Sequence, residues 1–379
     1  MTKLSICIPV EPGKKMPLYL CERLLEDKAA DIEIIVGPYG DILDRDTSLI
    51  ELESRDARLR ILPPAPDHIS LSHLWIGTVA AMRGDWVTIV RPDDMIEPGI
   101  ETLLVHVEKS MPDADACGWN TFTINAEAPR DIPACVPVPV QHHTIEPEKA
   151  DMMDAFFNWT DSSNVPKMPF GIYHCAIKRS LLETVLQTSG ELSWLTPTPL
   201  YEWSARVLLN ATRLAFSSRP LSAISQETYV PITVPRVLSN FPFTAAHGIT
   251  ASIAEIQCRV LHDLGQAWEG YGDNFLRACM LDCMFEHDED RFEAKAKGYH
   301  AAIRMMGNDR LTASFRPPYL AEPKPDRRRG LHGRVLLVDR FLGNAQSAQD
   351  FYEVARYMLT PLHVAADMSV HVESSSSSH

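Results

Sequence analysis

The chain has 379 residues, 45% of them hydrophobic, which is enough to bury a sizeable core and too apolar for wholesale disorder. A formal net charge of −14 repels phosphate backbones and argues against a nucleic-acid binder, while leaving room for a local basic pocket. No apolar run approaches the roughly 18–20 residues that span a bilayer, and the opening LSICIP is too short for a secretory signal. A cytoplasmic protein is therefore expected, membrane-peripheral at most. Its eight scattered cysteines suggest no disulfide framework.

Residues 4–9 (LSICIP) read as a buried strand ended by proline, and residues 17–25 (PLYLCERLL) as an amphipathic helix opened by one. Residues 32–36 (IEIIV) are a second buried strand, 47–53 a helix and 59–62 (LRIL) a third strand. A helix over 70–82 is stopped by Gly84; 86–90 (WVTIV) is the fourth strand, and 98–107 is helical. This alternation predicts right-handed crossovers and an α/β fold, a Rossmann-like, mostly parallel sheet with helices on both faces. A further strand is expected over 116–119.

Residues 126–147 are rich in proline and read as an extended excursion; 178–186 and 202–209 are helical. Weak periodicity and several prolines over 217–242 suggest a linker or boundary. Amphipathic segments at 249–264, 274–286, 291–305 and 346–359 then predict a helical C-terminal domain. The expected division is 1–225, 226–365 and a disordered tail, 366–379.

Ligands bind beyond the carboxyl ends of the strands of a parallel sheet. Three segments lie there: Pro9-Val10-Glu11, then Gly37-Pro38-Tyr39-Gly40-Asp41, then Arg91-Pro92-Asp93-Asp94. Adjacent carboxylates after a buried strand are costly unless they serve something, and hard cations such as Mg2+ or Mn2+ take one or two carboxylates plus substrate phosphates. Capping of the next helix, or plain solvation, is the competing explanation for Asp93 and Asp94.

The ordered set SICIPV, EIIVGPYGD, RDARLRIL and RGDWVTIVRPDDMIEPG resembles the N-terminal core of family 2 glycosyltransferases over residues 4–107. Weaker likenesses follow at 171–182 and around Tyr201-Glu202-Trp203 with Arg206. The resemblance implies a GT-A-like fold that binds a nucleotide-diphosphate sugar at Pro9, Val10, Glu11, Pro38, Tyr39, Asp41, Arg91, Asp93 and Asp94. It implies Mg2+ or Mn2+ on Asp93 and Asp94, and transfer with inversion to a saccharide, lipid or small-molecule hydroxyl. Inversion needs a general base, for which Glu202 is the first candidate and Glu191 another.

The chain departs from the family at three acids. Pro38 stands where an aspartate holds the base, with Tyr39 offering a ring to stack and Asp41 or Asp44 a nearby carboxylate. Arg91 replaces the first acid of the aspartate cluster, its guanidinium suited to diphosphate oxygens. Leu200 stands where the catalytic aspartate is usual. These losses motivate a second reading, a glycosyltransferase-like binding or scaffold module without catalysis. A third is a nucleotidyltransferase, for which Pro12-Gly13-Lys14-Lys15 is a faint basic loop.

Other features have plainer explanations. Trp75 and Trp119 read as core, and His142-His143 as exposed. Cys279, Cys283 and His287 recur at four-residue spacing as one helix face rather than a metal site. Arg327–Arg329 is a basic run that suits a solvated connector or a phosphorylated lipid. The C-terminal helices are expected either to recognise the acceptor or to form a homo-oligomer.

Overall fold

In the computed structural model, residues 3–367 are described except 29, 41–46, 126–133, 162, 168–169, 191–192, 196–198, 227–237, 239–240, 244–247 and 322–325. Leu4–Val10 (β1) is buried along its whole length and is the spine of the main sheet. It is followed by Leu18–Leu25 (α1), Ile32–Pro38 (β2), Thr47–Arg55 (α2), Leu59–Ile61 (β3), Leu71–Ala80 (α3) and Trp86–Ile89 (β4). Met95–Ile96 (β5), Glu101–Ser110 (α4), Ala116–Ile124 (β6), Cys135–Pro139 (β7), Thr144–Ile145 (β8) and Lys149–Phe157 (α5) come next. Cys175–Lys178 (β9), Arg179–Gln187 (α6), Leu200–Asn210 (α7) and Leu214–Ser225 (β10) complete the sheet.

The strands lie in the order β3-β2-β1-β4-β9-β6-β10-β5, with β8 on β10. β3, β2, β1 and β4 run parallel. β9 is antiparallel to both of its neighbours, and β6 and β10 are again parallel. The expected α/β class with a mostly parallel central sheet is therefore what the chain forms.

Period-two alternation sends successive side chains to opposite faces. Leu4, Ile6, Ile8 and Val10 enter a core under α1, α2 and α4, while Cys7 joins Ile35, Val87 and Ile89 under α3, α5, α6 and α7. Into that second core pack the C-terminal helices Ile249–Asp263 (α8), Asp273–Met284 (α9), Glu289–Met305 (α10) and Asp309–Ser314 (α11). α8 is so deeply covered that Glu255, Gln257 and Arg259 are buried with its apolar residues. Gly330–His332 (β11) and Val335–Asp339 (β12) form a hairpin that pairs with β7. Ala348–Ala355 (α12) crosses to the first face, where Phe351 meets Phe122 edge-on at 5.3 Å, and Leu362–Asp367 (α13) ends the described chain.

Two stretches differ from their sequence patterns. The expected linker from 217 onward is, up to Ser225, the second half of β10, whose register on β6 shifts at Pro220. A bulge is where a strand accepts a residue lacking an N–H, so the proline is tolerated while the alternation is broken. The proline-rich excursion contains β7, whose Pro137 and Pro139 sit on the edge strand of the order β11-β12-β7. Edge strands tolerate proline because one row of their N–H groups needs no ladder partner.

Gly37 sets the approach of α3 to the sheet. A Cβ there would lie 2.1 Å from Thr78 Oγ1, and Thr78 is buried with its hydroxyl donating to Leu74 O at 2.7 Å. Gly37→Ala is expected to cost about 1–3 kcal/mol through overpacking, read as a fall in urea midpoint at unchanged slope.

Candidate functional site

β1, β2 and β4 end side by side, with Val10 opposite Pro38 and Cys7 opposite Ile89. Pro9, Val10 and Pro38 are buried at the strand ends, so they shape the floor of the crevice with backbone rather than reach into it. Tyr39 N donates to Val10 O at 3.2 Å, and its hydroxyl donates to Asp67 O. This holds the ring at the rim, half-buried. Gly40 follows at φ +58°, which a side chain would strain, and a Cβ there would meet Asp67 Oδ1. Asp41, Asp44 and Glu191 lie outside the described residues.

Trp75 of α3 is 2% exposed and its indole N–H donates to Glu11 Oε1 at 3.1 Å, so this core residue also orients a crevice carboxylate. Its ring meets Tyr173 edge-on at 5.1 Å, and the Arg91 guanidinium lies 5.0 Å from the Tyr173 ring centroid. Glu11, Trp75, Tyr173 and Arg91 thus form one continuous wall.

The aspartate pair is divided between two cations. Arg91 donates Nε to Asp94 Oδ2 at 2.8 Å and Nη2 to Asp94 Oδ1 at 3.1 Å, and also reaches Ser225 O. Ser225 N donates to Asp94 Oδ1 at 2.9 Å. Asp94 is 2% exposed; burial pushes its carboxyl above the ordinary range, and the Arg91 charge opposes that rise. Asp93 points outward to Lys14, Nζ to Oδ2 3.0 Å, with both side chains partly exposed. Gln349 of α12 donates to Pro92 O and Asp94 O, pinning this loop from the far end of the chain.

This donor set does not fit a divalent cation held jointly by Asp93 and Asp94. Both oxygens of Asp94 accept from Arg91, Oδ1 also accepts from Ser225 N, and Asp93 is turned the other way, to Lys14. What the loop offers instead is two cations, Lys14 and Arg91, each resting on a carboxylate.

Glu202 lies in a different setting. It is 1% exposed; both its oxygens accept from Trp194 N at 2.9 Å, and Oε1 also takes Arg206 Nε and Nη2. Arg206 is equally buried and its Nη2 also donates to Asp263 Oδ2 and Ser193 Oγ, each at 2.6 Å. The carboxylate is thus spent on fastening the Ser193–Trp194 turn and the end of α8 to α7. No exposed oxygen is left for an acceptor hydroxyl.

A second concavity lies across Tyr173, at the same end of the sheet. It has a volume of about 500 Å3 and is lined by Trp119, Asn120, Phe170, His174, Phe216 and the Asp161–Lys167 ion pair, among others. Sequence reasoning missed His174, Tyr173 and Asp161. They sit before a four-residue antiparallel strand and in a turn, where neither period is long enough to read.

Trp119 is core, its indole donating to Ser222 Oγ, although one face lines the concavity. His142 is 4% exposed rather than solvated: its ring bridges Pro139 O and Thr360, tying β7 to the C-terminal segment. Cys279 and Cys283 are fully buried while His287 is exposed beyond the end of α9, so the three share no site. Arg328 and Arg329 pair with Asp326 and Asp339 at the hairpin. No described helix is long and apolar enough to cross a membrane.

No family model matches the chain, and no curated protein does. Among solved structures it is similar to S. aureus TarS residues 1–349 in complex with UDP-GlcNAc, at 12% identity over 82% of this chain and 83% of that one, TM-score 0.46. The same TarS fragment without UDP-GlcNAc gives 11% identity over 82% of each chain, TM-score 0.44.

Proposed function

We propose that the crevice bounded by Tyr39, Arg91 and Asp93 binds a nucleotide-diphosphate sugar, and that the chain transfers the sugar to an acceptor hydroxyl with inversion. The observation that supports this reading is the convergence, at the carboxyl ends of β1, β2 and β4, of a rim tyrosine with two cations. Tyr39 offers a face to the base. Lys14 exchanges Asp93 for a phosphate oxygen, and Arg91, held in place on Asp94, adds its positive charge beside the diphosphate. Two fixed cations beside a diphosphate stabilise the charge that develops as the bond between sugar C1 and the phosphate oxygen breaks.

In this proposal the protein supplies from Lys14 and Arg91 the charge that a divalent cation supplies elsewhere. Calorimetric titration with uridine, guanosine, cytidine and thymidine diphosphates, in EDTA and in Mn2+, tests both parts. One diphosphate is expected to bind, with affinities in the two buffers within about threefold. Binding of none removes the donor site, and binding only with Mn2+ overturns the cationic account. Loss of the Lys14 contact in Lys14→Ala is expected to weaken binding about 10-fold, the size of one charge-assisted hydrogen bond.

The burial of Glu202 favours a second reading, binding without turnover. Release of sugar or transfer product from the bound donor, abolished by Arg91→Met, decides against it.

A further inference from the structure

The concavity beyond Tyr173 is separated from the cationic crevice by one side chain: Tyr173 faces Arg91, and the next residue, His174, lines the concavity. Its walls are mainly aromatic and aliphatic, from Trp119, Phe170, Phe216 and Met152. The charged residues lining it are Asp161 and Lys167, which pair with each other at 3.5 Å, so the wall carries no net charge once His174 is neutral. Asp161 Oδ2 is buried with no hydrogen-bond partner among the described residues, a state a nearby hydroxyl donor relieves. The volume suits a small molecule rather than a long polymer.

The hydrogen bonds around Ser222 assign the tautomer of His174. Ser222 Oγ donates its one proton to Thr121 Oγ1 at 3.0 Å and accepts from Trp119 Nε1 at 3.1 Å. Toward His174 Nδ1, 3.4 Å away, Ser222 Oγ therefore acts as acceptor, and Nδ1 carries the hydrogen. Nε2 keeps its lone pair. Burial and the nearby Arg91 guanidinium push the imidazole down to about 4, so at pH 7 it is neutral with Nε2 unprotonated, and weakly basic while that charge stands unopposed. A diphosphate laid against Arg91 offsets part of that guanidinium's effect, making His174 a stronger base when the donor is present.

Resting on the donor site proposed above, we infer that this concavity is the acceptor site, that it takes a hydroxyl carried on an uncharged apolar skeleton, and that His174 Nε2 receives the hydroxyl proton. The acceptor oxygen forms its bond to sugar C1 as the bond from C1 to the diphosphate oxygen breaks. The electron pair leaves on the nucleoside diphosphate, and the proton passes to Nε2 and then to water. A phenol and an alkenyl alcohol share this chemistry.

Fluorescence titration of the full chain with 4-methylumbelliferone, and displacement by geraniol, tests the site and separates the two skeletons. Met152→Trp and Pro147→Trp, which fill the concavity from a helix and from a loop, are expected to weaken probe binding at least about 10-fold while leaving nucleoside diphosphate binding unchanged. His174→Gln is expected to bind the probe within about threefold of wild type and to lose about 100-fold or more in transfer rate, the contribution of a general base. Wild-type probe affinity in both tryptophan variants with intact near-ultraviolet dichroism overturns the site, as does displacement of the probe by cellobiose but not geraniol. An undiminished transfer rate in His174→Gln overturns the base. Failure of wild type to bind any nucleoside diphosphate sinks the donor reading instead, and the probe titration still decides the concavity.

Discussion

Arg206→Met removes about 3–5 kcal/mol of folding stability, the cost of taking one partner from a buried ion cluster. The size follows from what is left behind. Arg206, Glu202 and Asp263 are almost wholly shielded from water, and the one guanidinium answers both carboxylates. Without it two acids face each other in a dry interior, and Ser193 loses a donor as well. A typical domain has only about 5–15 kcal/mol in total, so the variant is marginal and its urea midpoint falls steeply. Asp263→Asn, which leaves one acid on the cation, is expected to lose less. Glu202→Gln separates the two roles considered for that residue. A fastening role predicts lower stability, because the charge facing Arg206 is gone while Trp194 N keeps an acceptor. A catalytic base predicts unchanged stability and lost turnover. Equal urea midpoints for Arg206→Met and wild type would show that the cluster is not what joins α7 to α8.

Much of the fold is legible in the sequence wherever a single physical signal is long enough. β1, β2 and β4 are apolar runs broken only by Ser5, Glu33 and Thr88, because both faces of the sheet are covered, and α8 repeats its apolar residues over four turns. The elements that escaped are those in which a local rule is broken for a tertiary reason. β10 carries a proline at a bulge, β7 carries two on an edge, and β9 is four residues long and antiparallel within a parallel neighbourhood.

The site divides the same way. The strand-end rule gathers Pro9, Glu11, Tyr39, Arg91, Asp93 and Asp94 at one end of the sheet, since it depends only on strand direction. The partners of those residues are another matter. Lys14, marked in the sequence only as part of a faint basic loop, reaches Asp93 from 79 residues away, and Gln349 supports the same loop from the C-terminal helices with no mark in the local pattern. Two pairings were visible in principle. Glu202–Arg206 stand four residues apart on α7, the spacing at which opposite charges meet on a helix, and Arg91–Asp94 close a tight turn in which Asp94 N donates to Arg91 O. Those spacings mark Asp94 and Glu202 as partners of internal guanidinium groups, beside the metal-ligand and base roles that the resemblance implies for them.

Arg91→Met therefore carries two consequences that can be measured apart. The first is loss of the proposed diphosphate contact. Removing one positive charge from beside the diphosphate is expected to weaken nucleoside diphosphate binding about 10-fold. The second concerns Asp94, buried at 2% exposure beneath it. Burial already raises this carboxyl above its ordinary value, and Arg91 is the main opposing influence. Removing the cation raises it further. A carboxyl whose folded value is raised binds more protons folded than unfolded, so stability falls as pH rises from the unfolded value toward the raised folded one. Arg91→Met is thus expected to be closest to wild type near pH 4 and progressively weaker through neutral pH. The companion Arg91→Met/Asp94→Asn has no such group to ionise; its stability should lose that slope and recover at pH 7 while diphosphate binding stays weak. Recovery of binding along with stability would mean that Arg91 acts only as a prop for Asp94 and never meets the ligand. A flat pH profile in the single variant would mean that Asp94 finds another donor once Arg91 is gone.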